Sequence, residues 1–302
     1  MKEAARKSVL ITGASSGLGL ETALYLASHD YHVYASVPHP SHMEAVATAA
    51  KSRNVHVRLL VLDVTDPIGI QSAVETMVKE CGGIYGVVNN AGIGLRGFFE
   101  DLSDKEIRQL FDVNVLGVMA VTRAVLPYMR IAREGRIVII GSAGGRIASM
   151  TISAYCAGKF AVEGFGEALA LETSLLGLHV SLIEPGLVMT PHFTVNRGRA
   201  KAALNPQSPY YAWFVQHEEM VDNIIKKNRI TPTDVAKTVK KALEQNRPRL
   251  RYVVGWRARL LISFRKHLPG ELFDRIYFRE LKRRIARTGV PVPSPSEPSL
   301  PG

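Results

Sequence analysis

The chain has 302 residues, of which 46% are hydrophobic and 22% are charged, a composition typical of a globular protein. Two cysteines, Cys81 and Cys156, are too few for a disulfide framework and indicate a reducing, cytoplasmic compartment. The apolar run from Val9 to Ile11 is too short for a signal peptide. We find no run of about 18 apolar residues and therefore expect no membrane-spanning helix.

The formal net charge of +11 belongs to the C-terminal part of the chain. Residues 1–225 carry 19 Lys or Arg and 21 Asp or Glu, whereas residues 247–288 carry 13 and three. The positive net charge of the whole chain therefore gives no information about the function of the first 225 residues. Because no recognition motif accompanies it, we predict no nucleic-acid partner.

Short apolar runs alternate with helical patterns over the first ~190 residues, which predicts an α/β fold with a parallel sheet covered on both faces. The predicted strands are Ser8–Thr12, His32–Ser36, Val57–Leu62, Ile84–Val88, Arg136–Ile140, His179–Glu184 and Arg251–Val254. The predicted helices are Gly19–Ser28, Ser41–Ser52, Pro67–Lys79, Asp104–Met129, Ser153–Leu176 and Thr231–Glu244, the last with Thr231 as its N-cap.

Residues 191–230 interrupt the alternation and are rich in aromatic side chains. Residues 256–287 combine large apolar residues at near-helical spacing with many Arg and Lys, and Pro269-Gly270 divides them into two predicted helices. The tail, residues 289–302, contains five prolines and is predicted to be disordered.

The first predicted strand runs directly into a glycine-rich loop and then a helix. Small residues at this place let a dinucleotide pyrophosphate approach backbone amides at a helix N-terminus. An ordinary glycine-rich turn is the alternative, but the strand and helix on either side favour a nucleotide site. The residues concerned are Gly13, Ser15, Ser16, Gly17, Leu18 and Gly19.

Two further strand ends carry residues suited to a nucleotide. Asp63-Val64 follows the third strand, where the Asp63 carboxylate could bind an adenine amino group or equally form a turn cap before Pro67. Asn89, Asn90, Ala91 and Gly92 end the fourth strand, at a position suited to a ligand crevice or to a plain turn.

Tyr155 and Lys159 lie four residues apart on one face of a predicted helix. A lysine ammonium favours a nearby phenolate, so it would lower the tyrosine pKa from about 10 and allow acid/base catalysis. Ser142, after the fifth strand, could bind a substrate oxygen. Asn114 lies inside a helical pattern, and because Asn is a weak helix former, its presence there indicates a polar functional role. A surface Tyr/Lys pair, a turn serine and an exposed helix asparagine are the alternatives.

This ordered set resembles the short-chain dehydrogenase/reductase family over roughly residues 8–255. The resemblance implies a Rossmann-like, doubly wound, seven-stranded parallel sheet, with a C-terminal helical extension beyond it. It also implies that Tyr155 is the general acid/base, that Lys159 lowers its pKa and binds the nicotinamide ribose, and that Ser142 orients the substrate carbonyl. Asn114 would hold a water that links Lys159 to a proton relay. The residues implied for the nicotinamide pocket are Pro185, Gly186, Val188 and Thr190.

The predicted helix that carries Tyr155 and Lys159 also contains Gly158 and Cys156. Gly158 departs from the Ser or Ala usual in the family and weakens the helix by roughly 1 kcal/mol. Cys156 points away from Tyr155 and is interpreted as a packing residue. No metal site is predicted.

The expected cofactor is NADP(H), with NAD(H) as the alternative. No acidic residue follows the second strand, where NAD-binding relatives place one, and no arginine lies near Pro38 either. We expect Ser15, Ser36 and His39 to hold the 2′-phosphate.

The resemblance divides the chain into a catalytic domain over residues 1–255, the helical extension 256–288 and the tail 289–302. Residues 191–230 would form the substrate lid, and the branch acting on steroids, retinoids and lipid-like ketones is the most similar. The residues expected to form an apolar substrate pocket are Leu95, Phe98, Phe99, Met150, Phe193, Tyr210, Tyr211, Trp213 and Phe214.

The predicted function is hydride transfer between a nicotinamide and a hydrophobic alcohol or ketone, in a homodimer or tetramer formed through helices Asp104–Met129 and Ser153–Leu176. Residues 256–287 could attach the enzyme to a membrane surface, or could pack on the enzyme or across a dimer. The alternatives are a catalytically silent NAD(P)-binding regulator and a membrane-surface binding protein.

Overall fold

A computed structural model describes residues 7–189 and 198–286. Its centre is one sheet of seven parallel strands in the order β3-β2-β1-β4-β5-β6-β7. The predicted fold class is confirmed. The strands are β1 Lys7–Ile11, β2 Tyr31–Val37, β3 Arg58–Val61, β4 Gly86–Asn89, β5 Gly135–Ile140, β6 Leu178–Pro185 and β7 Arg251–Val254.

The helices are α1 Gly17–Ala27, α2 Met43–Ser52, α3 Pro67–Cys81, α4 Asp104–Phe111, α5 Gly117–Ala132, α6 Ser153–Ser174, α7 Tyr211–Lys226, α8 Pro232–Glu244, α9 Trp256–His267 and α10 Gly270–Ala286. Helices α3, α5 and α6 pack on one face of the sheet, and α1, α2 and α8 pack on the other. Because both faces are covered, successive strand residues such as Val9, Leu10 and Ile11 are all fully buried.

The long predicted helix Asp104–Met129 is not continuous. A π-helical turn, Asp112–Leu116, separates α4 from α5. Such turns insert one extra residue into a helix and are frequent at functional sites. Here the turn carries Asn114 into the protein interior, where its side chain is 1% exposed.

The joined helix Asp104–Ala132 is also the one described segment long and apolar enough to span a membrane, because an 18-residue window within it has a mean hydropathy of 1.5. This differs from our expectation that no such segment exists. In the fold, α5 packs on the sheet and fully buries Val121, Val125 and Met129. Its apolar character therefore has a structural reason within the core.

Residues 191–230 contain a helix that the sequence pattern did not predict. Helix α7 buries Phe214, Gln216, His217 and Glu218 together, so its inner face mixes apolar and polar residues. A mixed inner face gives no clear apolar period. The first part of the predicted lid, residues 191–197, lies outside the described residues.

The C-terminal segment forms two helices, as the Pro269-Gly270 pair predicts. The N-cap of α8 is Thr231, in a capping box with Asp234, also as predicted. Helix α9 has no buried residue, and α10 contacts α7 and α9. The predicted tail 289–302 lies outside the described residues.

Candidate active site

A cavity of about 370 Å³ opens at the carboxyl ends of the strands. It lies at the ends of β1 and β4, the two neighbouring strands at which the strand order of the sheet reverses direction. In doubly wound sheets this crevice is the usual ligand site. Most of the predicted site residues line it: Gly13, Ser15, Ser16, Gly17, Leu18, Asp63, Val64, Asn90, Ala91, Gly92, Asn114, Ser142, Tyr155, Lys159, Pro185, Gly186 and Val188.

The glycine-rich loop fits a diphosphate. Gly13 and Gly17 adopt φ values of +67° and +58°, which side chains rarely allow. Ser16 is the N-cap of α1 but makes no capping hydrogen bond with its side chain. The first-turn amides of α1 are therefore left to an anion at the end of the helix dipole.

Asn90 and Thr12 hold this loop against β4. The Asn90 Nδ2 donates to the carbonyl oxygens of Thr12 at 2.9 Å and Gly13 at 3.0 Å, and the Thr12 Oγ1 accepts from the amides of Asn90 and Ala91 at 3.0 Å each. The Asn90 amide is thus committed to shaping the loop.

Gly19 and Ser36 do not line the cavity, contrary to our prediction. A Cβ on Gly19 would lie 2.3 Å from both Asn90 Nδ2 and the Gly13 oxygen, so this glycine serves close packing beneath the loop. Ser36 is fully buried inside β2, and its hydroxyl has no hydrogen-bond partner.

His39 does not line the cavity either; its Nδ1 contacts the Ser41 hydroxyl at 2.9 Å. The predicted phosphate pocket of Ser15, Ser36 and His39 is therefore not formed. Thr190 lies outside the described residues.

Six lining residues were missed by the sequence analysis. All six are apolar or glycine. Their positions next to predicted residues or at strand ends are the signal that could have identified them. They are Pro38, Leu62, Ile93, Val113, Ile140 and Gly141.

One of the two alternatives left open for Asp63, the turn cap, is present. Asp63 is exposed at the cavity edge, and its Oδ1 accepts from the Thr65 amide at 2.9 Å and the Thr65 hydroxyl at 2.8 Å. The carboxylate also remains at the cavity.

Tyr155 and Lys159 both face the cavity from α6. The Lys159 Nζ lies 5.7 Å from the centre of the Tyr155 ring and donates to the Ile140 carbonyl at 2.8 Å. Lys159 is 8% exposed. Lys159 is thus buried and Tyr155 is half-buried at the site, so the surface-pair alternative does not apply.

Burial sets the proton affinities of this pair. It raises the pKa of Tyr155 to about 12, although a hydrogen bond with Ser142 acts in the opposite direction. It lowers the pKa of Lys159 to about 8, against the effect of the Glu163 carboxylate. Without the cofactor, the net shift of the Tyr155 pKa is upward rather than downward, because loss of hydration is the largest influence on it.

Ser142 and Asn114 complete the set. Ser142 caps the short helix Ala143–Gly145, and its Oγ accepts from the Gly144 amide at 3.0 Å. The Asn114 side chain binds the backbone of Ile93, through its Oδ1 to the amide and its Nδ2 to the carbonyl, each at 2.8 Å. Asn114 therefore joins the π turn to the loop after β4.

None of the described apolar pocket residues lines the cavity, and several of them form a separate cluster that includes Tyr155. Leu95 and Phe214 are buried in it, and Phe98 stacks on Tyr210 with 4.8 Å between ring centres. Phe99 is 67% exposed and contributes nothing to a pocket. Phe193 lies outside the described residues.

A buried ion pair ties helix α7 to the loop after β4. The Arg96 Nη1 lies 2.6 Å from Glu218 Oε1, and the Arg199 Nε lies 3.0 Å from Glu218 Oε2. The positive charge of Arg96 also favours the Tyr155 phenolate slightly.

A parallel sheet with a diphosphate cradle and a Ser, Tyr and Lys set at its carboxyl edge defines a nucleotide-dependent oxidoreductase. The family model for short chain dehydrogenases matches residues 7–200. The chain therefore belongs to the short-chain dehydrogenase family of oxidoreductases.

Its relatives include proteins that act on lipids. The chain is 36% identical over 269 residues to a 3-ketodihydrosphingosine reductase from Bacteroides thetaiotaomicron, covering 88% of this chain and 94% of the relative. It is 35% identical over 283 residues to human retinol dehydrogenase 5, covering 89% and 86%. Actinorhodin polyketide ketoreductase, solved with NADPH, is 28% identical with a TM-score of 0.72, covering 84% and 97%.

Proposed function

We propose that this protein is an NADP(H)-dependent reductase or dehydrogenase that interconverts a hydrophobic ketone and its alcohol. The observation that carries the proposal is the meeting of Ser142, Tyr155 and Lys159 with the glycine-rich loop around one cavity. The uncapped N-terminus of α1 and the glycine cradle fit a dinucleotide.

Each residue of the site has a separate role in the proposed reaction. The bound nicotinamide supplies or accepts the hydride at the substrate carbon. In reduction, the Tyr155 hydroxyl gives its proton to the carbonyl oxygen, and the resulting phenolate is stabilised by the Lys159 ammonium. Ser142 holds the same oxygen beside Tyr155. Asn114 keeps the loop that contains Gly92 and Ile93 in place below the site.

A high pKa suits Tyr155 to this role in reduction. At neutral pH its proton is in place before the carbonyl binds, and the Lys159 ammonium is still largely charged. Oxidation of an alcohol requires the phenolate and is therefore favoured at higher pH.

The preference for NADP(H) rests on fewer residues than the sequence indicated. Ser15 lines the cavity, and no acidic residue follows β2 to repel a 2′-phosphate. Because Ser36 and His39 do not contribute, NAD(H) remains the alternative.

The substrate is proposed to be apolar. The names of two relatives denote a keto lipid and retinol as their substrates. In this chain the aromatic side chains of Phe98, Tyr210 and Trp213 cluster beside the catalytic residues. Such a surface suits the hydrocarbon part of a lipid-like ketone.

The decisive experiment is Tyr155→Phe, assayed with a panel of apolar ketones and with fluorescence titration of NADPH and NADH. We expect at least a 100-fold loss of turnover with cofactor binding retained, because only the proton donor is removed. Tyr25→Phe, remote from the cavity, should behave as wild type. Substantial turnover by Tyr155→Phe would overturn the assigned role, and cofactor binding without turnover in wild type would favour the silent regulator.

A homodimer or tetramer is also proposed, formed through α5 and α6. Large apolar side chains on or beside these helices are exposed in the single chain: Leu116, Ile131, Phe160, Leu171 and Leu175. Burying them in a second copy would remove this apolar surface from water.

Attachment to a membrane surface is a second candidate function, carried by α9. Its residues Trp256, Leu260 and Phe264 lie at intervals of four and are 67%, 48% and 50% exposed. Arg257, Arg259, Arg265 and Lys266 surround this stripe. An anionic bilayer complements both the charge and the hydrocarbon, so we propose a cytoplasmic enzyme that binds membranes peripherally.

Sedimentation of the full chain with vesicles tests the attachment. We expect it to pellet with phosphatidylserine-containing vesicles but not with purely phosphatidylcholine vesicles. Replacing Trp256, Leu260 and Phe264 by Ser should abolish pelleting, whereas replacing Leu171 and Leu175 by Ser should not. Absence of pelleting by wild type, or an unchanged triple variant, would refute it.

A further inference from the structure

A cluster of charged side chains lies directly behind the catalytic lysine. Glu163 follows Lys159 by one turn of α6 and is 5% exposed. It meets Glu184 at the end of β6, Arg251 on β7 and Arg146 after the short helix Ala143–Gly145. The Arg251 Nε lies 3.1 Å from Glu163 Oε2 and 3.4 Å from Glu184 Oε1, and Arg146 Nη1 lies 3.0 Å from Glu184 Oε1.

The two buried carboxylates are not fully satisfied. Glu163 Oε1 and Glu184 Oε2 are inaccessible to solvent and have no hydrogen-bond partner. Burial and the neighbouring Glu184 carboxylate raise the pKa of Glu163 to about 7, although Arg251 and Arg146 act in the opposite direction. Glu163 is therefore ionised in the pH range where Lys159 loses its proton.

The position of the unpartnered Glu163 oxygen links this cluster to the active site. A Cβ on Gly141 would lie 2.8 Å from Glu163 Oε1, so the carboxylate lies against this glycine. Gly141 lines the cavity between Ile140, whose carbonyl accepts from Lys159, and Ser142. The Glu163 charge raises the pKa of Lys159 and so opposes the loss of its proton on burial.

We propose that Glu163 is a positioning residue for hydride transfer: held by Arg251 behind Gly141, its carboxylate keeps Lys159 charged beside Tyr155 and sets the alkaline limit of carbonyl reduction. The inference rests on the proposed function, because Glu163 acts only through Lys159. Glu167, one turn farther along α6, also binds Arg251, at 2.6 Å, but its side chain is 58% exposed.

The test is the pH profile of Glu163→Gln, which removes the charge and keeps the shape. The alkaline limb of kcat for ketone reduction should move about one pH unit lower, because Lys159 loses its favourable neighbour. On the alkaline side, the kcat of Glu163→Gln should then be about tenfold below that of wild type. Near pH 6 it should be less than twofold below, and the KM for the ketone should be unchanged.

Glu167→Gln is the matched control, since it also removes one Arg251 contact and should leave the profile unchanged. Glu163→Asp keeps the charge and should restore the wild-type limb even if its kcat is lower. An equal loss by Glu163→Gln at every pH, or the same shift in Glu167→Gln, would show a purely structural role and overturn the proposal.

A second readout does not depend on turnover. NMR titration of isotope-labelled lysine in the cofactor-free protein should give a lower Lys159 pKa in Glu163→Gln than in wild type. An unchanged Lys159 titration would overturn the proposal. A shifted titration in a protein that reduces no ketone would instead refute the proposed function and support the coupling.

Discussion

Tyr155 and Lys159 face the same cavity one helical turn apart, and their sequence spacing was sufficient to place them there. Their proton affinities were not predictable in the same way, because these depend on hydration removed by residues far along the chain. Lys159 is buried and donates to the carbonyl of Ile140, at the end of β5. The spacing therefore identified the pair, and its surroundings determined how each member titrates.

Gly19 shows the same limit in a residue that was assigned to the cofactor. Its position in the motif was correct, but its contact is with Asn90 and Gly13 rather than with the cavity. A sequence motif does not distinguish a glycine that makes room for a ligand from one that makes room for neighbouring atoms of the same protein.

Gly19→Ala should therefore weaken cofactor binding indirectly. Its Cβ would lie 2.3 Å from Asn90 Nδ2 and from the Gly13 oxygen, so the loop must move. We expect at least a tenfold higher Kd for NADPH, which corresponds to about 1.4 kcal/mol. Fluorescence titration measures it, with Gly83→Ala, where a Cβ meets nothing within 4 Å, as control. Equal affinity of the two variants would contradict this reading.

Helix α6 carries Tyr155 and Lys159 and also three glycines with different surroundings. A Cβ at Gly164 would meet nothing within 4 Å, whereas at Gly158 it would lie 3.3 Å from Leu110 Cδ2 and at Gly166 2.9 Å from Leu182 Cδ2. Gly158, unusual for the family, thus faces a tight but apolar neighbour. Nothing in its surroundings interferes with Tyr155 or Lys159.

Alanine at these positions should give a graded series in the free energy of unfolding. Gly164→Ala should stabilise by about 1 kcal/mol, from helix propensity alone. Gly158→Ala should gain less, because Leu110 must shift, and Gly166→Ala should lose about 1–3 kcal/mol through overpacking against β6. Urea denaturation gives the order, which a stabilised Gly166→Ala would refute.

The π turn and α7 are the elements that the sequence pattern did not predict. The turn differs from an α-helix by a single residue, and Asn114 was its only local signal. Helix α7 presents polar residues to the interior, where Arg96 and Thr151 satisfy Glu218 and His217. Both elements are stabilised by long-range contacts rather than by local periodicity.

Helix α7 is joined to the rest of the molecule by buried polar contacts. The Thr151 Oγ1 lies 3.0 Å from His217 Nδ1, and Glu218 binds Arg96. Burial and the Arg96 charge lower the pKa of His217 to about 4. The folded protein therefore keeps this histidine neutral over a range in which an unfolded chain protonates it.

Acid should accordingly destabilise the fold through His217. Because the unfolded state binds the extra proton below its pKa of about 6.5, stability is complete at neutral pH and is lost as pH falls toward 4. Between pH 7 and 5 the loss from this residue is about 2 kcal/mol. Denaturant unfolding at both pH values should show that His217→Gln loses about 2 kcal/mol less stability on acidification than wild type does.

The exposed residue His42 provides the control, and His42→Gln should keep the wild-type difference between the two pH values. If His217→Gln lost as much stability as wild type on acidification, His217 would not be the group responsible.

The sequence by itself determined the features that depend on near neighbours along the chain. Apolar runs separated by helical patterns defined the parallel sheet, the loop after Thr12 required glycine at Gly13 and Gly17, and spacing of four placed Tyr155 beside Lys159. The tertiary structure decided what depends on distant segments: the burial of Ser36, the π turn at Asn114 and the Glu163 cluster behind Gly141. The physical reason is that hydration, packing and charge compensation at a residue are set by whatever surrounds it in space, and a one-dimensional pattern records only its neighbours along the chain.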